Sequence, residues 1–163
     1  EPSGTVPHAA FLIVGDSVKV AEAYDKFMPE DAPRIILVDT FKDEAEESLR
    51  VAEALGERLA GIRLDTPGER GGVTPDLVTE VRARLDQAGY SHVKIFVSGG
   101  LYPEKIQTLS QAGAYSFGVG SYISQASPID MTLDLKEVGG KPIAKRGRIP
   151  GIIRNDKLEL VKG

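Results

Sequence analysis

The chain has no cysteine. That absence excludes a disulfide scaffold, a zinc ribbon and a thiol nucleophile. Only two histidines occur, His8 and His92. No apolar run approaches the ~18 residues of a membrane span, and no signal-peptide pattern opens the chain. Nothing suggests export, so a cytoplasmic protein without a membrane partner is expected. A basic excess is also lacking. Twenty Lys and Arg stand against 24 Asp and Glu, a formal charge of −4, which argues against a nucleic-acid-coating protein. What remains is ordinary globular usage over 163 residues, 41% apolar and 27% charged, enough to bury a core. The first residue is Glu1 rather than Met, as in a piece of a longer gene product.

The pattern alternates strands and helices. Residues 34–40 are an apolar run closed by Asp39-Thr40, as in a strand buried on both faces. Residues 43–56 follow as a helix with Leu49, Ala52 and Leu55 inward and Gly56 as its stop. Residues 60–66 repeat the strand and its polar ending. Thr74 and Pro75 then cap and open a helix with Leu77, Val78, Val81, Leu85 and Ala88 inward. A third strand, 92–97, runs into Ser98-Gly99-Gly100. Pro103 opens a helix with Ile106, Leu109 and Ala112 inward, and a fourth strand, 114–119, ends in Gly118-Val119-Gly120-Ser121. Upstream, residues 16–28 form a helix with Val20, Tyr24 and Phe27 inward, preceded by a loop, Gly4-Thr5-Val6-Pro7-His8.

Such repeats predict an α/β fold with parallel strands and right-handed crossovers. The units number about half of the eight that close a barrel. The expectation is therefore part of an incomplete (β/α) barrel over residues 1–127. It is completed by other chain segments or by oligomerisation, because open edges and an uncovered face are unfavourable. The tail, 128–163, changes period. Met131, Leu133 and Leu135 alternate as in a half-exposed strand, and Gly139-Gly140 turns an antiparallel hairpin that returns through Lys141 to Lys145. The basic run from Lys141 to Arg148 reads as a solvated hairpin.

Parallel α/β proteins bind ligands beyond the carboxyl ends of their strands. There the sequence places Asp39-Thr40, Arg63, Asp65-Thr66, Ser98-Gly99-Gly100 and Gly118-Val119-Gly120-Ser121. Two glycine loops with hydroxyl residues on neighbouring strands suit a phosphate cup. The competing reading is two tight turns that need positive φ. Arg63 and Asp65, two apart on a strand, share a face; they form either an internal ion pair or a site for a carboxylate and sugar hydroxyls. Asp39 caps its loop or joins that site. His8 is an acid, a base, a phosphate acceptor or a bystander. No Walker loop, GxGxxG fingerprint or HExxH motif is present.

At these residues the strings GTVPHA, RIILVDTF, GIRLDTPGERGG, VKIFVSGGL, FGVGSYIS and GGKPIAKRG, in order, resemble the C-terminal part of nicotinate phosphoribosyltransferases, in their short archaeal and bacterial form. The resemblance covers nearly all of residues 4–151. It implies an incomplete α/β barrel joined to an N-terminal domain that packs partly on a neighbouring subunit. It implies transfer of a phosphoribosyl group from 5-phosphoribosyl-1-pyrophosphate to nicotinate, giving nicotinate mononucleotide for NAD synthesis. ATP hydrolysis is coupled through a phosphorylated histidine, which His8 resembles. Arg63 resembles the arginine that holds the pyridine carboxylate, with Thr66 beside it as a substrate contact. Asp65 and Asp39 resemble the acids of the same site. Ser98, Gly99, Gly100, Gly118, Gly120 and Ser121 resemble the 5′-phosphate cup. Mg²⁺ would neutralise the leaving pyrophosphate, and carboxylates would stabilise the positive charge that builds on the sugar.

The family's N-terminal domain, early barrel strands and nicotinate-stacking aromatic residue are missing from this chain, as is the cysteine knuckle of some relatives. The expected partners are the missing N-terminal portion and further copies in a homo-oligomer. Two other readings stand beside this one: a decarboxylating quinolinate phosphoribosyltransferase, and a non-catalytic phosphate-binding half-barrel.

Overall fold

The computed structural model describes residues 6–159, so Gly4 and Thr5 of the expected N-terminal loop lie outside the described residues. The chain divides into two compact units, one ending at Ala126 and the other beginning at Ser127.

The first unit is built from β/α repeats whose ends are written in the sequence. Asp16 accepts the Lys19 amide and starts α2 (Ser17–Phe27). Strand β1 is Arg34–Leu37. Asp43 accepts the amides of Ala45 and Glu46 to start α3 (Glu44–Leu55). Strand β2 is Leu59–Leu64. Thr74 accepts the Leu77 amide, and Pro75 is the first residue of α4 (Pro75–Gln87). Each such cap satisfies an orphan donor and stabilises its helix by about 1 kcal/mol. Strand β3 (Lys94–Ser98), α5 (Pro103–Gln111), β4 (Ser116–Gly118) and the four-residue α6 (Ser121–Ser124) complete the unit.

The four strands are parallel in the order β1-β2-β3-β4. Each pairs with its successor and the order never reverses, as in a barrel wall and unlike a doubly wound sheet. The register sets Leu37 opposite Arg63, Arg63 opposite Phe96, Phe96 opposite Ser116 and Ser98 opposite Gly118. Alternation then separates two faces. Ile62, Leu64, Ile95 and Val97 are buried in one core with Val51, Ala52, Leu55, Val78, Val81, Leu85 and Leu109 of the helices. Each buried aliphatic side chain contributes about 1.5–3 kcal/mol. The other face carries Arg63, Phe96, Ser98 and Ser116, all only half-buried. Gly61 belongs to this face, and a Cβ there would lie 2.5 Å from the Phe96 ring.

Several sequence expectations are corrected. His8 is not in a loop: it is the first residue of a short helix, α1 (His8–Val14). Phe27 is 76% exposed. The buried stripe of α2 runs through Ser17, Val20 and Ala21, and Phe27 lies at its margin on the final turn. Ala88 is exposed and follows α4 as its cap.

The second unit holds a minimal hairpin, β5 (Glu137–Val138) against β6 (Lys141–Pro142), antiparallel around Gly139-Gly140. The turn is as expected, but the strands are far shorter. Met131, Leu133 and Leu135 lie in no strand and are exposed. Alternation specifies a strand only where a neighbour supplies the ladder, and residues 128–135 pair with no strand among the described residues. The basic run is solvent-exposed apart from the half-buried Ala144.

Candidate functional site

The open face of the sheet and the carboxyl tips of its strands gather the chemistry. From β2 to β4 the same-face residues are Arg63 and Asp65, then Phe96 and Ser98, then Gly118. Arg63 Nη2 stands 3.7 Å from Asp65 Oδ2, with the two side chains 20% and 26% exposed. The pair is partly exposed to solvent.

Beyond β1 lies a second pair. His8 Nε2 is 3.2 Å from Asp39 Oδ2. The Asp39 side chain is 1% exposed and that of His8 41%. Burial pushes the Asp39 carboxyl above the usual range; the His8 contact offsets part of this, and the charge of Asp65 adds to it. With Nε2 protonated, His8 donates to Asp39 and presents Nδ1 as a lone pair. The buried acid then fixes the tautomer and the ring. Three buried oxygens at these tips, Asp39 Oδ1, Thr40 Oγ1 and Ser98 Oγ, have no hydrogen-bond partner among the described residues. Buried polar atoms of this kind take a water or a ligand as partner.

The two glycine loops differ in what demands glycine. Gly99 and Gly100 adopt φ of 93° and 58°, as tight turns require. A Cβ on Gly99 would also meet Asp65 Oδ1 at 2.8 Å. Gly118 has no positive φ; a Cβ there would lie 3.2 Å from Ser98 Cβ, so close strand packing accounts for it. Gly120 has neither constraint, with φ at −123° and open space where a Cβ would point. The amides of Gly99 and Gly100 donate to no group among the described residues. They lead into the N-terminus of α5, which has no side-chain cap. Bare amides at a helix start attract an anion. Ser121 is exposed beside Gly120 as the first residue of α6.

Thr66 is buried, and its hydroxyl donates to Glu44 Oε1 at 2.8 Å. Its proton is thus committed inside the fold. The other oxygen of Glu44 stands 3.4 Å from Arg70 Nη2. Sequence reading missed Glu44, because a glutamate in an acidic first turn reads as solvated. It also missed the loop from Pro67 to Gly72 and Lys105. These residues, with Asp65, Thr66, Gly99 and Gly100, line a cavity of about 470 Å³. Lys105 left a trace in the sequence: it is a cation in the first turn of a helix opened by Pro103, where acids are favoured.

A second cavity, about 510 Å³, lies at the opposite ends of β1 and β2 beside Asp25, Arg34 and Arg58. There Arg34 donates to Asp25 and to the carbonyls of Pro29 and Ala32. This clasps a loop and leaves the guanidinium fully used. Among the described residues no group of three His, Asp or Glu side chains could hold a metal, and no helix is long and apolar enough to cross a membrane.

The sequence and the fold are similar to those of known proteins. The family model described as quinolinate phosphoribosyl transferase, C-terminal domain, matches residues 3–134. A nicotinate phosphoribosyltransferase of Mycobacterium tuberculosis is 32% identical over 146 residues, 84% of this chain and 30% of the relative. One from Bacillus subtilis is 30% identical over 131 residues, 76% of this chain and 25% of the relative. The crystal structure of a nicotinate-nucleotide pyrophosphorylase from Pyrococcus furiosus superposes with a TM-score of 0.76 at 49% identity, covering 93% of this chain and 39% of that one. The chain spans less than a third of the length of these curated relatives.

Proposed function

Because the chain belongs to the family of the quinolinate phosphoribosyl transferase C-terminal domain, we propose that it carries the phosphosugar- and pyridine-acid-binding part of a phosphoribosyltransferase of NAD biosynthesis. The reading preferred is transfer from 5-phosphoribosyl-1-pyrophosphate to nicotinate. The observation that supports it most is the row of Arg63, Asp65, Ser98 and Gly118 on adjacent strand tips of one open face. A guanidinium takes a carboxylate bidentately, and Arg63 would hold that of the pyridine acid. Asp65 would accept from sugar hydroxyls and stabilise the charge that builds on the ribose as pyrophosphate departs. The amides of Gly99 and Gly100, with Gly118, Gly120 and Ser121, would take the 5′-phosphate.

His8 would act as the phosphate acceptor that couples ATP hydrolysis to the reaction. Asp39 orients its ring, and a phosphoryl group there would bias the affinity for the anionic sugar substrate. The described residues offer no three-carboxylate cage for Mg²⁺. The rest of the enzyme, including an aromatic partner for the pyridine ring, would come from further polypeptide and from neighbouring copies in a homo-oligomer.

A second reading is quinolinate as the acceptor, favoured by the description of the matching family. It would require cations for a second carboxylate and would release CO₂. Nucleotide formation by the complete enzyme, assayed with each acid and with and without ATP, separates the two. Nicotinate turnover stimulated by ATP supports the first; quinolinate turnover with CO₂ release and no effect of ATP supports the second.

A further inference from the structure

Lys105 is the third residue of α5 and lines the cavity shared by Asp65, the Pro67–Gly72 loop and the Gly99-Gly100 turn. Its position is not explained by helix stability, since a cation in the first turn opposes the helix dipole. Nor is it explained by pairing: Lys105 makes no ion pair or side-chain hydrogen bond among the described residues. Its ammonium lies over the backbone of the facing loop, with Nζ 3.6 Å from where a Cβ on Gly72 would stand.

In that facing loop three amides are committed internally. The Arg70 and Gly72 amides donate to the Pro67 carbonyl, and the Gly71 amide donates to that of Gly68, each at 3.0 Å. Buried Glu44 holds the loop from behind through Thr66 and Arg70. These contacts brace the loop as one wall of the cavity. The donors of the cavity include the Gly99 and Gly100 amides, the Gly68 amide and Lys105, and its acceptor side chain is the Asp65 carboxylate. One ammonium with bare amides, and one carboxylate, match a phosphorylated sugar. The hydroxyls donate to Asp65, and the phosphate takes the cation.

We infer that Lys105 is a binding residue of this cavity, contacting a phosphate oxyanion of a phosphosugar against the Gly99-Gly100 amides. The inference rests on the phosphoribosyl reading and adds a side-chain cation to a cup otherwise made of backbone. The phosphate is either the terminal one of the sugar or part of the leaving pyrophosphate.

The test is calorimetric titration of the chain, and of its Lys105→Met and Lys105→Arg variants, with ribose 5-phosphate and separately with inorganic pyrophosphate. Lys105→Met is expected to weaken one of these by about tenfold, the size of a charge-assisted hydrogen bond, and Lys105→Arg to retain most of the affinity. Which ligand suffers identifies the phosphate that the lysine holds. If Lys105→Met binds both as wild type does, the inference is overturned and the phosphoribosyl reading stands. If the folded wild-type chain binds neither, that reading falls and takes the inference with it.

Discussion

The imidazole of His8 reaches the carboxylate of Asp39 at 3.2 Å across 31 residues of sequence, joining the start of α1 to the tip of β1. The acid is the buried partner. Burial, the largest influence, raises its affinity for a proton in the folded state. A carboxyl held above its ordinary value near 3.8 favours folding when protonated. That contribution is complete below the unfolded value and is lost as pH rises through the folded one. Urea unfolding of wild type and Asp39→Asn across this window should show wild type losing stability relative to the variant as pH rises from about 3.8. A relative gain would refute the assigned environment.

Asp16 predicts the opposite sign. Its carboxylate accepts the Lys19 amide, the largest influence, and pairs with Arg50, so its carboxyl is held below the ordinary range. Its contribution is present above the unfolded value and fades as pH falls through the folded one. Asp16→Ala should cost about 1 kcal/mol near neutral pH, as a lost helix cap, and less in acid. Chemical denaturation at two pH values measures both.

Gly118 and Gly120 should respond differently to the same methyl group. Gly118→Ala meets Ser98 Cβ at 3.2 Å and should destabilise by about 1 kcal/mol through overpacking. Gly120→Ala enters open space at ordinary φ and should change stability by less than about 0.5 kcal/mol. If a phosphate seats there, Gly120→Ala nevertheless lowers ribose 5-phosphate affinity several-fold. Paired melting and binding measurements separate the two effects, and unchanged affinity would remove Gly120 from the cup.

Arg63→Ala should weaken nicotinate binding by roughly ten- to a hundredfold, the loss of a charge-assisted bidentate contact. Ribose 5-phosphate affinity should stay within about twofold. Equal losses for both ligands would mean that Arg63 supports the fold rather than the acid.

The repeats and their caps were legible because the determinants are local. Thr74 and Pro75 mark the start of α4 in the sequence, and Asp16 and Asp43, legible there only as the first residues of their segments, cap their helices in the same way within four residues of chain. The pairing of strand tips was legible from the parallel pattern, which brings Asp65, Ser98 and Gly118 to one end. The short helix after Pro7 was not, because an apolar seven-residue segment whose Leu12 and Ile13 are exposed carries no amphipathic signal. Nor was the role of Thr66, whose hydroxyl is committed to Glu44 from 22 residues away. The alternation at Met131, Leu133 and Leu135 misled for the complementary reason: its period is that of a strand, but no strand among the described residues pairs with it.

The central claim is that the tips of β2, β3 and β4 form one pocket for a phosphoribosylated pyridine acid. Amide chemical shifts recorded while nicotinate mononucleotide is titrated into the chain test it directly. Saturable shifts are expected at Gly99, Gly100, Gly118 and Gly120 together with Arg63 and Asp65. Shifts confined to the opposite cavity beside Asp25, Arg34 and Arg58, or none at all, would contradict it.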